Sequence, residues 1–200
     1  MSILSIAFSL FLIANPLGNS PAIVALIRDF SFERQKRIMM RESVFALVLA
    51  LFFQMFGEVF LGTLGIREYS VSICGGLLMI IIAVNMIFPT SKEAKSTHLT
   101  KEPVFVPIAT PLISGPGVLT IIMLYSNTVE NQLSLTIGIL LSFAMVTLVL
   151  IASPYLQKIL KDRGMVALEQ LMGLVLWMLA INLIQKGITL LINEYNTVGV

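Results

Sequence analysis

Two clusters of helix-breaking residues lie inside apolar segments that are long enough to cross a lipid bilayer. The first cluster is N-P-L-G-N-S-P at residues 15–21, and the second is P-L-I-S-G-P-G at residues 111–117. A proline has no N–H for the carbonyl four residues before it, so a continuous helix would leave four carbonyls unpaired. These carbonyls belong to Leu12, Leu17, Pro107 and Leu112. Within hydrocarbon such breaks persist only inside protein or beside a wet cavity, so the two clusters predict a binding site.

The composition indicates that lipid is the solvent for most of the chain. Of its 200 residues, 57% are hydrophobic and 12% are charged, whereas a soluble domain carries about 25% charged residues. The net charge of +2 does not indicate nucleic-acid binding, because the basic residues fall in short connections. Motifs of zinc hydrolases, serine hydrolases and P-loop proteins are absent from the sequence. We therefore expect a membrane protein that is not an enzyme and holds no metal or cofactor.

Six apolar segments have the length of about 20 residues that a membrane helix needs. They are residues 3–27, 43–62, 69–88, 103–125, 133–156 and 165–188. Of the 13 Lys and Arg residues, all but Arg67 and Lys186 lie in the first, third and fifth connections. By the positive-inside rule we expect these connections to be cytoplasmic and both termini to face the outer side of the membrane.

The second half of the chain repeats features of the first half. A shift of 97 residues places Gly76 on Gly173 and Asn85 on Asn182. The same shift pairs the glycines at 18 and 115, whereas a shift of 95 pairs the first prolines of the two clusters. The repeat is therefore indicated, while its register in the first spans stays open.

Each repeat has three helices, which is an odd number, so the second repeat must enter the membrane from the side opposite to the first. Inverted repeats with broken helices near the midplane are typical of secondary transporters. The predicted fold is therefore a single all-α transmembrane domain, residues 1–200, of six helices in two inverted three-helix repeats. The repeats span residues 1–90 and 103–193, a cytoplasmic loop at 89–102 joins them, and helices 1 and 4 are broken.

The two breaks predict a neutral site. Half-helices that meet there present free N–H groups and free carbonyls with opposite partial charges, which suits a zwitterion. No charged residue lies near the middle of a predicted span, so no carboxylate is expected for proton coupling. The candidate substrate-binding residues are Asn15, Pro16, Gly18, Ser20, Ser114, Gly115, Pro116, Gly117 and Thr120, with Asn85 and Asn182 as a second tier. The two second-tier asparagines are equally compatible with hydrogen bonds between helices.

Four stretches carry a resemblance to a known family. They are N-P-L-G followed by Pro21, Gly65-Ile66, G-G-L-L at 75–78, and P-I-A-T-P-L-I-S-G-P-G at 107–117. Together they resemble the MarC family over essentially the whole chain. The resemblance implies a bacterial inner-membrane protein that transports small neutral amino acids such as alanine, glycine or serine. The residues themselves leave open a non-transporting scaffold, a channel, coupling to sodium or protons, and assembly as a homo-oligomer.

Overall fold

The computed structural model describes residues 2–88, 108–129 and 131–198, and every regular element in these ranges is helical. The first helices are α1 (Ile3–Ala14), α2 (Pro16–Ile27), α3 (Phe32–Thr63), α4 (Glu68–Ile87), a π turn (Ile108–Ile113) and α5 (Pro116–Thr128). The stretch Gln132–Val198 has non-helical dihedral angles at Lys161, with φ 55° and ψ −178°. This kink divides it into α6 (Gln132–Lys161) and α7 (Arg163–Asn196).

Four helices are long and apolar enough to cross a membrane, namely α3 as far as Gly57, α4, α6 and α7. A fifth candidate span consists of α1 and α2, which are bent by 42° at the first break. The apolar part of α5 is shorter and belongs to the predicted fourth span, of which residues 103–107 lie outside the described ranges. The predicted loop at 89–102 also lies outside them. The described residues therefore confirm an all-helical chain with four to five candidate spans.

Two predicted connections turn out to be largely helical. Helix α3 begins at Phe32 rather than at residue 43, directly after an extended Ser31 and with Glu33 in its first turn. An acidic residue in the first turn stabilises the start of a helix. Helix α7 begins only two residues after α6 ends, so a kink at Lys161 replaces the predicted loop. The helices extend beyond the predicted spans because charged residues mark the edge of the hydrocarbon, whereas a helix can continue beyond it.

The helices pack into two apolar clusters. The larger cluster joins α1, α2, α3, the π turn, α5 and α6, and includes the fully buried Phe143. The smaller cluster joins α4 to α7 and includes Met79. On the outward faces large apolar side chains stay exposed, for example Met55 (70%), Leu148 (68%) and Met178 (63%). An apolar surface of this extent is suited to contact with lipid chains.

Helices α4 and α7 contact each other through equivalent residues. A Cβ atom added to Gly76 would lie 2.9 Å from the carbonyl oxygen of Ala180, and one added to Gly173 would lie 3.2 Å from that of Ala83. A shift of 97 residues relates both pairs. Such reciprocal contacts are the pattern expected around a twofold axis. Five buried positions of α4 also recur in α7 at this shift: 75, 76, 79, 83 and 86 become 172, 173, 176, 180 and 183.

The helices of the first two spans align at a different shift, 100 residues. Pro16 begins α2 and Pro116 begins α5, while Phe32 begins α3 and Gln132 begins α6. Four residues separate α3 from α4, but only one separates α6 from α7. Three fewer residues separate the start of α6 from Gly173 than separate the start of α3 from Gly76, so the shift is 100 at the helix starts and 97 at these glycines. The shifts that the sequence suggested for the first spans, 97 and 95, do not align these helix starts.

Candidate functional site

At the first break, Asn15 ends α1 and begins α2. Its backbone is left-handed, with φ 48° and ψ 51°, and its N–H donates to the carbonyl of Phe11 at 3.1 Å. Its side-chain Oδ1 accepts from the N–H of Gly18 at 3.3 Å. Asparagine tolerates the left-handed conformation and also caps helix starts well. Asn15 therefore pairs a backbone group at the end of α1 and another at the start of α2, so the helix can be interrupted inside the protein.

Asn19 joins the two breaks. Its side-chain Nδ2 donates to the carbonyl oxygen of Ala14 at 3.0 Å and to that of Leu112 at 2.6 Å. The Leu112 carbonyl is one of the four that prolines were predicted to leave unpaired, and a second, that of Leu17, accepts from Ser20 Oγ at 2.7 Å. Protein side chains therefore satisfy both of these freed carbonyls, as the membrane environment requires.

The second break is built from the π turn and an extended glycine. Within it the N–H of Ser114 donates to the carbonyl of Ala109 at 2.9 Å, and Ser114 Oγ donates to the carbonyl of Ala46 in α3 at 2.8 Å. Gly115 then begins α5 in an extended conformation without a side-chain cap. The first N–H groups of α5 therefore receive no side-chain hydrogen bond from Gly115, whereas Asn15 provides one at the start of α2. This end of α5 carries the partial positive charge of a helix N-terminus.

A cavity of about 90 Å³, called here the central cavity, lies between the two breaks. Its lining is apolar except for Asn15 and Asn19, and it contains no charged residue. Three of the predicted site residues line it, namely Asn15, Gly115 and Gly117. The other lining residues are Ile13, Ala14, Met79, Ile82, Leu112, Ile113, Val118 and Leu176. The volume is about three times the ~30 Å³ that one water molecule occupies in the liquid, so a solute of a few heavy atoms could be held.

The lining of the central cavity contains equivalent residues from both halves of the chain. Ile13 and Ile113 are related by the shift of 100, as are Asn15 and Gly115, and Met79 and Leu176 are related by the shift of 97. The cavity therefore lies where the two halves meet.

Several predicted site residues do not line the central cavity. Gly18 contacts Met86 and the side chain of Asn15, so an added Cβ would displace one of them. Ser20 is fully buried and hydrogen-bonded within α2. Thr120 packs against Gly75 of α4, where an added Cβ would lie 2.5 Å from its Oγ1. Pro16 and Pro116 are the first residues of their helices and define where the breaks end.

The structure does not bring Asn85 and Asn182 to the central cavity. Asn85 is exposed on α4, and Asn182 is exposed on α7. Asn182 lines a second cavity of about 210 Å³ between α1, α4, α5 and α7, called here the side cavity. The side cavity and the central cavity share Ile13 and Met79, which therefore form the wall between them.

The side cavity also holds a cation that was not among the predicted site residues. Lys186 lines it one helical turn after Asn182 and forms no salt bridge with any described residue. The other Lys or Arg on its side of the predicted topology, Arg67, lies 3.5 Å from Glu194. No local sequence pattern marks Lys186 as a cavity residue. It lines the side cavity because α7 packs next to α1 and α5 in the folded chain.

A buried carboxylate lies near the second break, contrary to the expectation of none. Glu42 is fully buried in α3, and its Oε1 accepts from Arg41 Nη2 at 2.9 Å and from Arg41 Nε at 3.0 Å. It precedes Ala46, the partner of Ser114, by one helical turn. The sequence prediction assigned Glu42 to a loop because α3 was predicted to begin after it. Among the described residues no group of three His, Cys, Asp or Glu side chains could hold a metal ion.

Comparison with known proteins places this chain among membrane proteins. A family model described as "MarC family integral membrane protein" matches residues 1–192. The chain is 38% identical over 188 residues to the UPF0056 inner membrane protein YhgN of Escherichia coli strain K12, which covers 93% of this chain and 95% of the relative. It is 30% identical over 193 residues to a UPF0056 membrane protein of Chlamydia pneumoniae, covering 96% of both. No solved structure matches it.

Proposed function

We propose that this chain, which belongs to the MarC family of integral membrane proteins, is a secondary transporter of small neutral amino acids that works by alternating access. The observation that carries the proposal is the central cavity between two broken helices, lined by equivalent residues of both halves. Broken helices that meet near the midplane of two inverted repeats are the common binding-site architecture of secondary transporters.

The lining of the central cavity supports a small zwitterionic substrate. The uncapped start of α5 at Gly115 and Gly117 offers N–H groups to a carboxylate. The carbonyls of Ala14 and Leu112 already accept from Asn19, but each carbonyl oxygen has a second lone pair for an ammonium group. A cavity of about 90 Å³ without charged side chains favours alanine, glycine or serine over larger or strongly ionic solutes.

Alternating access would follow from the inverted repeat. We assign the predicted segment 103–125 as a further span, the fourth in chain order, with the π turn and α5 as its broken helix. The reciprocal contacts of Gly76 and Gly173 support a twofold relation between the repeats. Ile13 and Met79 separate the central cavity from the side cavity, and their equivalents in the other half are Ile113 and Leu176. In the proposed cycle these two pairs open in turn, one towards each side of the membrane.

The proposed location is the bacterial inner membrane, with both termini on the periplasmic side. The name of the Escherichia coli relative is that of an inner membrane protein. The concentration of Lys and Arg in alternate connections supports the orientation. In this orientation the side cavity, which contains Lys186, opens towards the periplasm.

Counterflow in proteoliposomes tests the proposal, and it needs no assumption about a coupling ion. Vesicles loaded with unlabelled alanine should transiently accumulate labelled alanine from outside. Gly117→Val should abolish this accumulation, because an added Cβ would lie 2.5 Å from Met79 Sδ in the wall of the central cavity. Gly62→Val is the matched control, since a Cβ added there would have no heavy atom of the described residues within 4 Å beyond the neighbouring backbone of its own helix.

The alternatives give different results in the same vesicles. A channel would show conductance or downhill flux without accumulation of label against a loaded pool. A non-transporting scaffold would show neither for alanine, glycine or serine. If Gly117→Val retained the counterflow of the unmodified protein, the central cavity would not be the substrate site.

A further inference from the structure

One face of α3 changes from basic to apolar along its length. Arg37 and Met40 are exposed near the start of the helix, and the same face continues through Val44 (50% exposed) and Val48 (59% exposed). These positions are three or four residues apart, so their side chains lie above one another on the helix surface. The face therefore presents cations at one end and apolar side chains beyond them.

The basic end of this face forms an open groove beside α6. The groove is lined by Glu33, Lys36, Arg37, Met40, Arg41 and Ile151, and has a volume of about 470 Å³. Three of these residues are cations and one is an acid. Met40 and Ile151 supply an apolar floor. The combination of cations with apolar contacts differs from the neutral lining of the central cavity.

Neighbouring residues hold two of these cations in place. Arg41 donates twice to the fully buried Glu42, at 2.9 and 3.0 Å, and these two bonds orient its guanidinium. The Lys36 ammonium lies 4.6 Å from the ring centre of Phe32 and 5.8 Å from that of Tyr155. Cations that are already positioned lose less conformational entropy when a ligand binds.

The depth of the groove in the membrane follows from the length of α3. The predicted second span, residues 43–62, has about the number of residues that crosses the hydrocarbon core. We therefore infer that the charged turns before it, from Phe32 to Glu42, lie at the level of the lipid headgroups. At this depth the cations would face phosphates, while Val44 and Val48 would face acyl chains.

We propose that this groove is a binding site for an anionic phospholipid. Lys36, Arg37 and Arg41 bind the headgroup phosphate, and the acyl chains lie along Met40, Val44 and Ile151. Basic pockets beside transmembrane helices on the cytoplasmic side recognise such headgroups by charge. A zwitterionic lipid binds less well, because its own ammonium group is repelled by the same cations. The site does not depend on the transport function proposed above.

The test measures lipid preference for the full chain in bilayers. Spin-labelled phosphatidylglycerol and spin-labelled phosphatidylcholine are compared by their motionally restricted fraction in phosphatidylcholine vesicles. The unmodified protein should prefer phosphatidylglycerol. Because each cation near a lipid surface strengthens anionic-lipid binding about fivefold, Lys36→Gln with Arg37→Gln should remove most of that preference. The matched control, Arg67→Gln with Lys186→Gln, also removes two cations, but from outside the groove.

Each outcome decides the proposal. The proposal is supported if the groove variant, Lys36→Gln with Arg37→Gln, loses the preference for phosphatidylglycerol while the control keeps it. Lys36→Arg with Arg37→Lys keeps both charges and should therefore keep the preference. Equal loss in the groove variant and the control would show that only net charge matters, and would overturn it. An unchanged preference of the groove variant for phosphatidylglycerol would also overturn the proposal. Displacement of phosphatidylglycerol by millimolar inorganic phosphate would overturn it too, because the ligand would then be a soluble anion. Arg37→Gln alone serves as the second variant if the double variant does not fold, because Arg37 is exposed.

Discussion

At the scale of single residues, Asn15 pairs backbone groups that a broken helix would otherwise leave unpaired in the membrane. A helix end leaves backbone groups without partners, and in hydrocarbon these groups have no water to bond. The backbone N–H of Asn15 bonds to the end of α1, and its Oδ1 bonds to the start of α2. Its positive φ of 48° turns the chain between the two helices.

Replacement of Asn15 separates its two roles. Asn15→Ala should lower the free energy of unfolding by about 2–3 kcal/mol, because it loses a cap and places alanine in a left-handed conformation. Asn15→Gly should lower it by about 1 kcal/mol or less, because glycine accepts that conformation and is itself a tolerable cap. Unfolding by sodium dodecyl sulfate in mixed micelles measures the difference. Equal losses for the two variants would mean that the backbone conformation at Asn15 is unimportant.

Lys186 is the residue we expect to meet a substrate carboxylate first. It lies in the side cavity, ten residues along α7 from Leu176 in the central cavity, which corresponds to about 15 Å of helix. In the proposed transport cycle, a carboxylate passes Lys186 and then the wall of Ile13 and Met79 before it reaches the start of α5. We therefore predict that Lys186 is a positioning residue at the entrance and does not touch the substrate in the central cavity.

Removal of the charge at position 186 should therefore affect KM more than the maximal rate. Exposed charge pairs contribute about 0.2–1 kcal/mol, so Lys186→Gln should raise the KM for alanine uptake by up to about fivefold. The effect should shrink at high salt, which screens the attraction. Lys186→Arg should retain the normal KM, and Arg67→Gln serves as the control. A fall in maximal rate without a change in KM would contradict the assigned role.

At the scale of secondary-structure elements, the contact between α4 and α7 is defined by glycines. Gly76 and Gly173 let the two helices approach so closely that an added Cβ would meet the backbone oxygen of Ala180 or Ala83. Backbone atoms cannot move aside as a flexible side chain can. Small residues of this kind are the usual basis of helix packing in membranes, where no hydrophobic force drives helices together.

Larger side chains at these two glycines should destabilise the protein to a similar extent. Gly76→Val and Gly173→Val should each lower the free energy of unfolding by about 1–3 kcal/mol, the usual result of overpacking. Gly62→Val, at a glycine with open space around it, should change it by less than about 0.5 kcal/mol. Unfolding in mixed micelles again provides the measurement. A large effect at only one of the two glycines would contradict the reciprocal contact between the helices.

At the scale of the whole molecule, orientation in the membrane is the main prediction. With Cys74→Ser as background, a membrane-impermeant maleimide added to intact cells should label Ser2→Cys and Leu64→Cys but not Arg34→Cys. The physical reason is that we assign α1 and α2 to one broken candidate span and α3 to the next, while basic connections stay in the cytoplasm. After the inner membrane is permeabilised, Arg34→Cys should also react. The reverse pattern in intact cells would invert the topology.

The positions of the two breaks could be predicted from the sequence, but the residues of the cavity between them only in part. Asn15, Gly115 and Gly117 were predicted and line it. Met79 belongs to a continuous helix that carries no local signal for a site. Asn19 lies within the first cluster, but its bond to Leu112 joins residues 93 positions apart.

By itself, the sequence determined the membrane environment, the apolar segments and the places where helices break. These properties depend on local composition and on the absence of an N–H in proline, so they need no knowledge of distant residues. Only the tertiary structure shows that the helix starts of the first spans align at a shift of 100, whereas the contact of α4 with α7 aligns at a shift of 97. It also decided which residues line the central cavity, because a cavity is formed by side chains that meet only when separate helices pack together.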